Sequence, residues 1–538
     1  MPGTVPAVED QDHADVVIVG AGHNGLVAGA YLARAGLDVC VVEAAPTIGG
    51  MTATGRLIPG APDHLVNPCA LDVLFMRGST VIPDLGLDRF GLRLLDADPA
   101  YVYLHPDGAS IAIWRDAART AAEIERFSPA DAAAYRRFVT LLQAVMDIGL
   151  PFIGADPTHP GARTLARAGR ATVRHRRHLG ETGDLLTSTG EQVVRERFGH
   201  EVVIAALINL AAAAGPVTLE GSGITHLVLA YLHRFGVGRP AGGTGAIPEA
   251  IAACLRRAGG RIVTSVPVER IVVAGGRATG VVLEDGRTFH ARRAVLTACD
   301  PRTALGRLLP PGALSPKMTA RVATIPVNSH GTSPMTVHVA LSGRLALDRH
   351  AARRGDGVDL RVPIALIGTP DDVRHSYRSA AAGFVSDRSF LWGAVPTGVD
   401  PSQAPTGQDT FYLYAPAAPL EPLDPGPGGA EHGAKLLLAR AAQYYDHLDE
   451  LEIGRFVETP ADIAARTRST NGSILHVDFA LLRSGPLRPA KGLGGYRTPV
   501  AGLYITGAGT HPGAGVSGIP GQRAAQRILT DQRHGARR

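Results

Sequence analysis

Asp15-Val16-Val17-Ile18-Val19-Gly20-Ala21-Gly22-His23-Asn24-Gly25 is the stretch on which the fold is decided. Val16 to Val19 is a short, uninterrupted apolar run, as expected of a parallel strand buried on both faces, and it leads straight into a glycine turn. A helix follows. Leu26, Ala30 and Ala33 recur at helical spacing, and Gly36 stands where a helix-ending glycine belongs. A second strand, Asp38 to Val42, ends in Glu43.

Strand, glycine turn, helix, strand and acid, in that order, predict a Rossmann-like α/β unit that binds a dinucleotide. Gly20 permits the tight turn, Gly22 lets the backbone approach a pyrophosphate, and Gly25 allows close helix packing, while the helix start offers free N–H groups to the anion. Glu43 is placed to accept hydrogen bonds from the adenosine ribose. His23 and Asn24 read as structural members of the turn. The turn alone does not separate FAD from NAD. Gly49-Gly50, shortly after Glu43, is a second glycine pair that would let the chain run close to the ribityl and pyrophosphate of a flavin dinucleotide, and it favours FAD.

Two distant segments extend this pattern. Gly242-Gly243-Thr244-Gly245 precedes a helix with Ile247, Ile251, Cys254 and Leu255 on one face, then Gly259-Gly260, a strand from Arg261 to Thr264, and Val268 in the next strand. Near the C-terminus, the strand Leu503 to Thr506 enters a glycine-rich loop from Gly507 to Gly518, and a helix runs from Ile519 to Leu529. That helix start would place positive dipole potential at the pyrimidine end of an isoalloxazine. Gly513 to Gly518 fits G-x-G-x-x-G formally but has neither a directly preceding strand nor a ribose acid, so it is not read as a nicotinamide site.

At these residues the chain resembles the phytoene desaturase superfamily of FAD-dependent oxidoreductases. Asp15 to Gly50 and Leu503 to Leu529, including Gly-Ala-Gly-Thr-His-Pro-Gly at 507–513, carry the resemblance. Arg239 to Gly245, Asn471 to His476 and Tyr496 to Pro499 are similar to its desaturase-like β-carotene ketolase and pyridine nucleotide-disulfide oxidoreductase domain-containing branches. The resemblance implies that Gly20, Gly22, Gly25, Glu43, Gly49, Gly50, Val268, Gly507, Gly509, Gly515, Val516 and Gly518 surround FAD. Met51 departs from the Arg that many relatives carry after the glycine pair, and Ala508 from the Asp of the wider amine oxidases. The organisation expected is an FAD domain in three pieces, 15–70, 241–310 and 491–530, interleaved with an α+β substrate domain, 71–240 and 311–490, between tails at 1–14 and 531–538.

Composition narrows the function classes. The chain has 538 residues, 45% hydrophobic and 19% charged, and a net charge of +5, which excludes disorder as its main state. Only Lys317, Lys435 and Lys491 are lysines; the skew towards Arg reads as coding bias, and no nucleic-acid partner is inferred. Cys40, Cys69, Cys254 and Cys299 are too scattered for a local redox pair or half a zinc site, and no metal is expected. Residues 1–15 lack a basic, apolar leader, so a cytoplasmic setting is expected. Val202 to Gly215 is too short to span a bilayer and reads as a buried helix. Arg163, Arg167, Arg170, Arg174 and Arg177 would form a basic face on a helix, either solvated or resting peripherally on anionic lipid.

The expectation is an FAD-dependent oxidoreductase that takes hydride from a hydrophobic, carotenoid- or isoprenoid-like substrate and passes electrons to O2 or a quinone. His511, in the flavin loop, and His476 are the candidates for proton transfer, each against a bracing role. Trp114 and Trp392 read as core. Two other readings stand beside this one: oxidation of a smaller specialised metabolite, and a flavin-bound interaction protein with little turnover.

Overall fold

The structure, a computed structural model, describes residues 12–480 and 483–535. Most of the expected N-terminal tail and residues 536–538 of the C-terminal tail therefore lie outside the described residues. His13 already opens the first strand, and the last helix continues to Gly535.

The first sheet is the one the glycine turn predicts. His13–Val19 pairs in parallel with Val39–Val42 on one side and with Thr288–Thr297 on the other, and Arg261–Val263 extends the edge beyond Val39–Val42. Thr288–Thr297 is long enough to serve two partners on its far side: Arg277–Leu283, antiparallel, near its start, and Leu503–Ile505, parallel, near its end. Three distant pieces of sequence thus become one sheet. The helices His23–Arg34, Ala246–Arg257 and Ile519–Gly535 cover one face. Small residues let them close up: a Cβ on Gly29 would sit 3.4 Å from Ile18 and Leu255, and one on Gly521 would sit 2.2 Å from the Asn24 carbonyl oxygen. Val73, Met76, Val81, Leu85 and Leu87, expected with the substrate half, join this core. Leu314, Val322, Val327 and Val477 join the core on the opposite face.

The second sheet also has seven strands, ordered Glu452–Glu458, Thr332–Leu341, Asp409–Pro419, Leu391–Ala394, Ile364–Ile367, Tyr101–Leu104 and Ser110–Ile113. All its pairings are antiparallel except Ile364–Ile367 with Tyr101–Leu104. Period-two alternation sends Phe411, Leu413 and Ala415 to one face, under the helix Pro427–Ala441. Tyr412 and Tyr414 go to the other face, into a core shared with Pro129–Ile153 and Glu201–Ala212. Glu201–Ala212 contains most of the apolar run seen in the sequence, buried from Val202 onward; its one buried polar residue, Asn209, donates to the carbonyls of Ala205 and Gly368. Four of the five stripe arginines lie on Ala162–Arg174, where only Ala168 is buried and Leu165 and Val173 are exposed beside them, while Arg177 falls in the separate turn Arg176–His178 because the helix ends at Arg174. No helix among the described residues is long and apolar enough to cross a membrane.

Candidate functional site: a dinucleotide cradle facing an aromatic wall

The helix His23–Arg34 begins at Gly22, and no side chain caps it. Its first N–H groups are therefore left for an anion, as at other phosphate-binding helix starts. Gly20 has φ +101°, a left-handed value that favours glycine. A Cβ on Gly25 would lie 2.1 Å from the Gly20 carbonyl oxygen, so the turn closes only around glycine there. Gly22 differs: a Cβ built on it meets nothing within 4 Å. Gly49 docks on this turn, its N–H donating to the Ala21 carbonyl at 2.9 Å, and Gly50 faces the Gly22 Cα.

Glu43 sits at the end of Val39–Val42 and accepts from the Ala21 N–H at 2.6 Å and the Ala45 N–H at 2.9 Å. The acid thus fixes the turn from the end of the second strand. The chain from Ser265 to Val268 is drawn alongside, Ser265 N–H donating to Ala45 and Val266 N–H to Glu43. Val268 follows two residues on, as the first residue of the strand Val268–Ala274.

The loop after Leu503–Ile505 forms the opposite wall. Gly507 has φ +109° and lies against Ala298, the residue that also flanks Gly20, so Ala298 joins the two glycine turns. Gly509 packs on Pro301 and His476. Gly515 meets the Phe75 ring, Val516 packs partly buried on the core, and Gly518 lies against Val27 and Val81 at the start of Ile519–Gly535. Arg488, fully buried, donates to the carbonyls of Leu475, Val477 and Ala508, fastening the loop from below. Burial pushes its pKa down to about 10, so it stays cationic near neutrality.

His511 is a brace in this arrangement: its Nε2 donates to the Phe152 carbonyl at 2.9 Å, and its own carbonyl accepts from the Tyr496 hydroxyl. Burial lowers its pKa. His476, at φ +59°, lies in the dinucleotide half beside Gly507, with its Nδ1 lacking a hydrogen-bond partner among the described residues. It also acts electrostatically on His23, whose pKa burial pushes down to about 4. Both imidazoles are held neutral near pH 7.

An aromatic wall the sequence reading did not identify shares its core with Phe75, the ring that meets Gly515 of the loop. Tyr412 and Tyr414 stack with centroids 6.3 Å apart and planes 10° apart, and Trp392 lies 6.4 Å from Tyr414 and 5.5 Å from Tyr101. Burial raises the pKa of Tyr101, Tyr412 and Tyr414, keeping their hydroxyls neutral. Asp72 and Arg239 lie at the same wall, Nε donating to Oδ1 at 2.8 Å. Burial raises the Asp72 pKa and Arg239 pulls it the other way. The available signal was the Tyr-x-Tyr alternation in a strand. By contrast Trp114 is core, donating to Glu123.

A separate cavity of 780 Å3, lined by Arg34, Asp84, Arg89, Phe90, Cys254 and Arg257, lies at the far end of His23–Arg34, roughly 18 Å along the helix from the turn. It takes no part in this site.

The residues present fit an adenine dinucleotide: an uncapped helix start, open space beside Gly22, an acid at the ribose position and a second glycine wall. Comparisons with known proteins agree. The family described as flavin containing amine oxidoreductase matches residues 25–412. The chain is 28% identical over 558 aligned residues to Pyridine nucleotide-disulfide oxidoreductase domain-containing protein 2 of Mus musculus, covering 96% of this chain and 93% of that protein. It is 27% identical over 510 residues to Phytoene desaturase (lycopene-forming) of Pseudescherichia vulneris, covering 94% and 96%. In fold it is similar to cyclohexylamine oxidase from Brevibacterium oxydans, with a TM-score of 0.56 and 17% identity over 97% of this chain and 99% of that one. The chain belongs to the flavin containing amine oxidoreductase family, and it is an FAD-dependent oxidoreductase.

Proposed function

We propose that this enzyme desaturates or oxidises a hydrophobic, isoprenoid-like substrate. The observation that carries the reading is the aromatic wall of Tyr101, Trp392, Tyr412 and Tyr414, which packs in one core with Phe75, the ring against Gly515 of the flavin loop. When bound, FAD supplies a hydride acceptor at N5 of its isoalloxazine. The chain's own residues orient and enclose. The aromatic faces hold an apolar carbon chain, the buried helix Glu201–Ala212 excludes water behind them, and the Tyr412 hydroxyl ties the wall to the Cys69 carbonyl at 2.9 Å. His511 holds the flavin loop to the helix Pro129–Ile153 through Phe152. Desaturation removes a hydride and a proton; once hydride has left an activated allylic C–H the neighbouring proton is acidic, so a water or a neutral imidazole suffices to take it, in keeping with two imidazoles kept neutral by burial. The phytoene desaturase among the relatives supports the same substrate class.

The electrons leave to O2 or a quinone, and the exposed arginine helix Ala162–Arg174 rests on anionic lipid, from which such a substrate is drawn. A second reading is oxidation of a smaller metabolite, whose flat or cationic group would meet the face of one ring of this wall. Anaerobic mixing with candidate substrates separates the two. Bleaching of the flavin's visible band by a carotenoid supports the first; bleaching only by small rings or amines supports the second. No bleaching across both sets refutes turnover of either class and leaves a flavin-bound interaction protein.

A further inference from the structure

Arg239 lies in the short strand Val237–Pro240, opposite Leu95 of Leu94–Ala97, and is 1% exposed. Its Nε is taken by Asp72, but neither Nη1 nor Nη2 has a hydrogen-bond partner among the described residues, and Asp72 Oδ2 has none either. A buried donor left unmade costs about 1–3 kcal/mol, and more when the group is charged. Folded proteins retain such groups where a ligand, an ion or a water completes them.

The surroundings say which. Asp72 lies on the stretch Cys69–Phe75, which spans the two glycine walls of the cradle. At one end the Ala70 N–H donates to the Met51 carbonyl, next to Gly50; at the other the Phe75 ring abuts Gly515. On the side away from the cradle, Cys69 holds Tyr412, and the Asp72 charge acts on both Tyr101 and Tyr412. Trp392 Nε1, beside Tyr101, is a further buried donor without a partner among the described residues. Unused donors and aromatic faces therefore lie together, joined to the flavin loop through Phe75, a combination that matches a substrate with a carbon chain and an oxygen-bearing end.

We propose that Arg239 is a substrate-binding residue whose two free Nη groups receive a carboxylate or carbonyl oxygen of the substrate, Asp72 being the positioning residue that fixes the guanidinium plane through Nε. This deepens the proposed function and rests on it: the substrate is an oxygenated isoprenoid, an acid or a carbonyl compound, in place of a bare hydrocarbon.

The test uses the FAD-loaded enzyme and three probes on one polyene skeleton: retinoic acid, retinal and the hydrocarbon axerophthene. Affinities are read anaerobically by equilibrium dialysis. At least one oxygenated probe binds tenfold or more tighter than the hydrocarbon. Preference for the acid alone identifies a carboxylate, and preference for both a carbonyl-type acceptor. Arg239→Met abolishes the preference while leaving hydrocarbon affinity and FAD stoichiometry unchanged. If that variant does not load FAD, Arg239→Lys, which keeps the charge without the fork, carries the same comparison and weakens the preference. Equal binding of all three probes by the wild type, or a preference of wild-type size in the variant, overturns the proposal and leaves the hydrophobic-substrate reading standing. Failure of every probe to bind removes that reading and this one together.

Discussion

Replacing Gly22 by Ala separates the stability of the fold from the affinity of the cradle. Gly22 has φ −64° and ψ 162°, values any residue adopts, and a Cβ there meets no protein atom within 4 Å. The FAD-free protein should therefore change in stability by no more than about 0.5 kcal/mol, as a surface substitution does. In the loaded protein the same methyl group stands between the turn and the pyrophosphate. Overfilling of this kind costs about 1–3 kcal/mol, which is about a five- to 150-fold rise in Kd. Gly25→Ala is the control, because its Cβ would lie 2.1 Å from the Gly20 carbonyl oxygen, a backbone atom that cannot rotate away. That variant should lose stability with or without FAD. Thermal unfolding of the deflavinated proteins, together with titration by FAD followed through flavin fluorescence, measures both quantities. Wild-type FAD affinity in Gly22→Ala would refute the placement of the pyrophosphate, and so would a fall in the stability of its FAD-free form as large as that of Gly25→Ala.

Burial depresses the pKa of His338 to about 3 and of His226 to about 4, so the unfolded chain binds more protons than the folded one below pH 6.5. Stability should fall as pH drops from 6.5 towards 4. In His338→Phe, which keeps the packing on Tyr412 and Phe456, the slope should flatten by up to about 1.4 kcal/mol per pH unit, read from urea midpoints; parallel curves would contradict this. Glu123→Gln should cost about 3 kcal/mol, the low end for a broken buried pair because Asp356 still holds Arg354, with unchanged FAD affinity by titration. For the membrane contact, wild-type protein should float with anionic vesicles and the double variant Arg170→Glu with Arg174→Glu should not; equal flotation would remove the idea.

The dinucleotide half was legible in the sequence because its signals are local. Glycine at the turn of Gly20 to Gly25 and the buried run Val16 to Val19 follow from backbone sterics and burial within about ten residues. The role of Ala298 was not legible, since nothing in its own neighbourhood tells that it will lie between Gly20 and Gly507. His476 looked like a visitor from the substrate half, yet the described structure sets it beside Gly507. The placement of Val73 to Leu87 in the dinucleotide core likewise depends on which sheet offers an uncovered face.

What the sequence determined by itself was a cradle for FAD, since each requirement of the cofactor, a close backbone approach, a free helix start and a ribose acid, is met within one supersecondary unit. What only the tertiary structure decided was the face proposed to meet the substrate. Tyr101, Trp392, Tyr412 and Tyr414 come from three separate strands, and Asp72 meets Arg239 across 167 positions of chain, so their chemistry exists only after non-local pairing has brought them together.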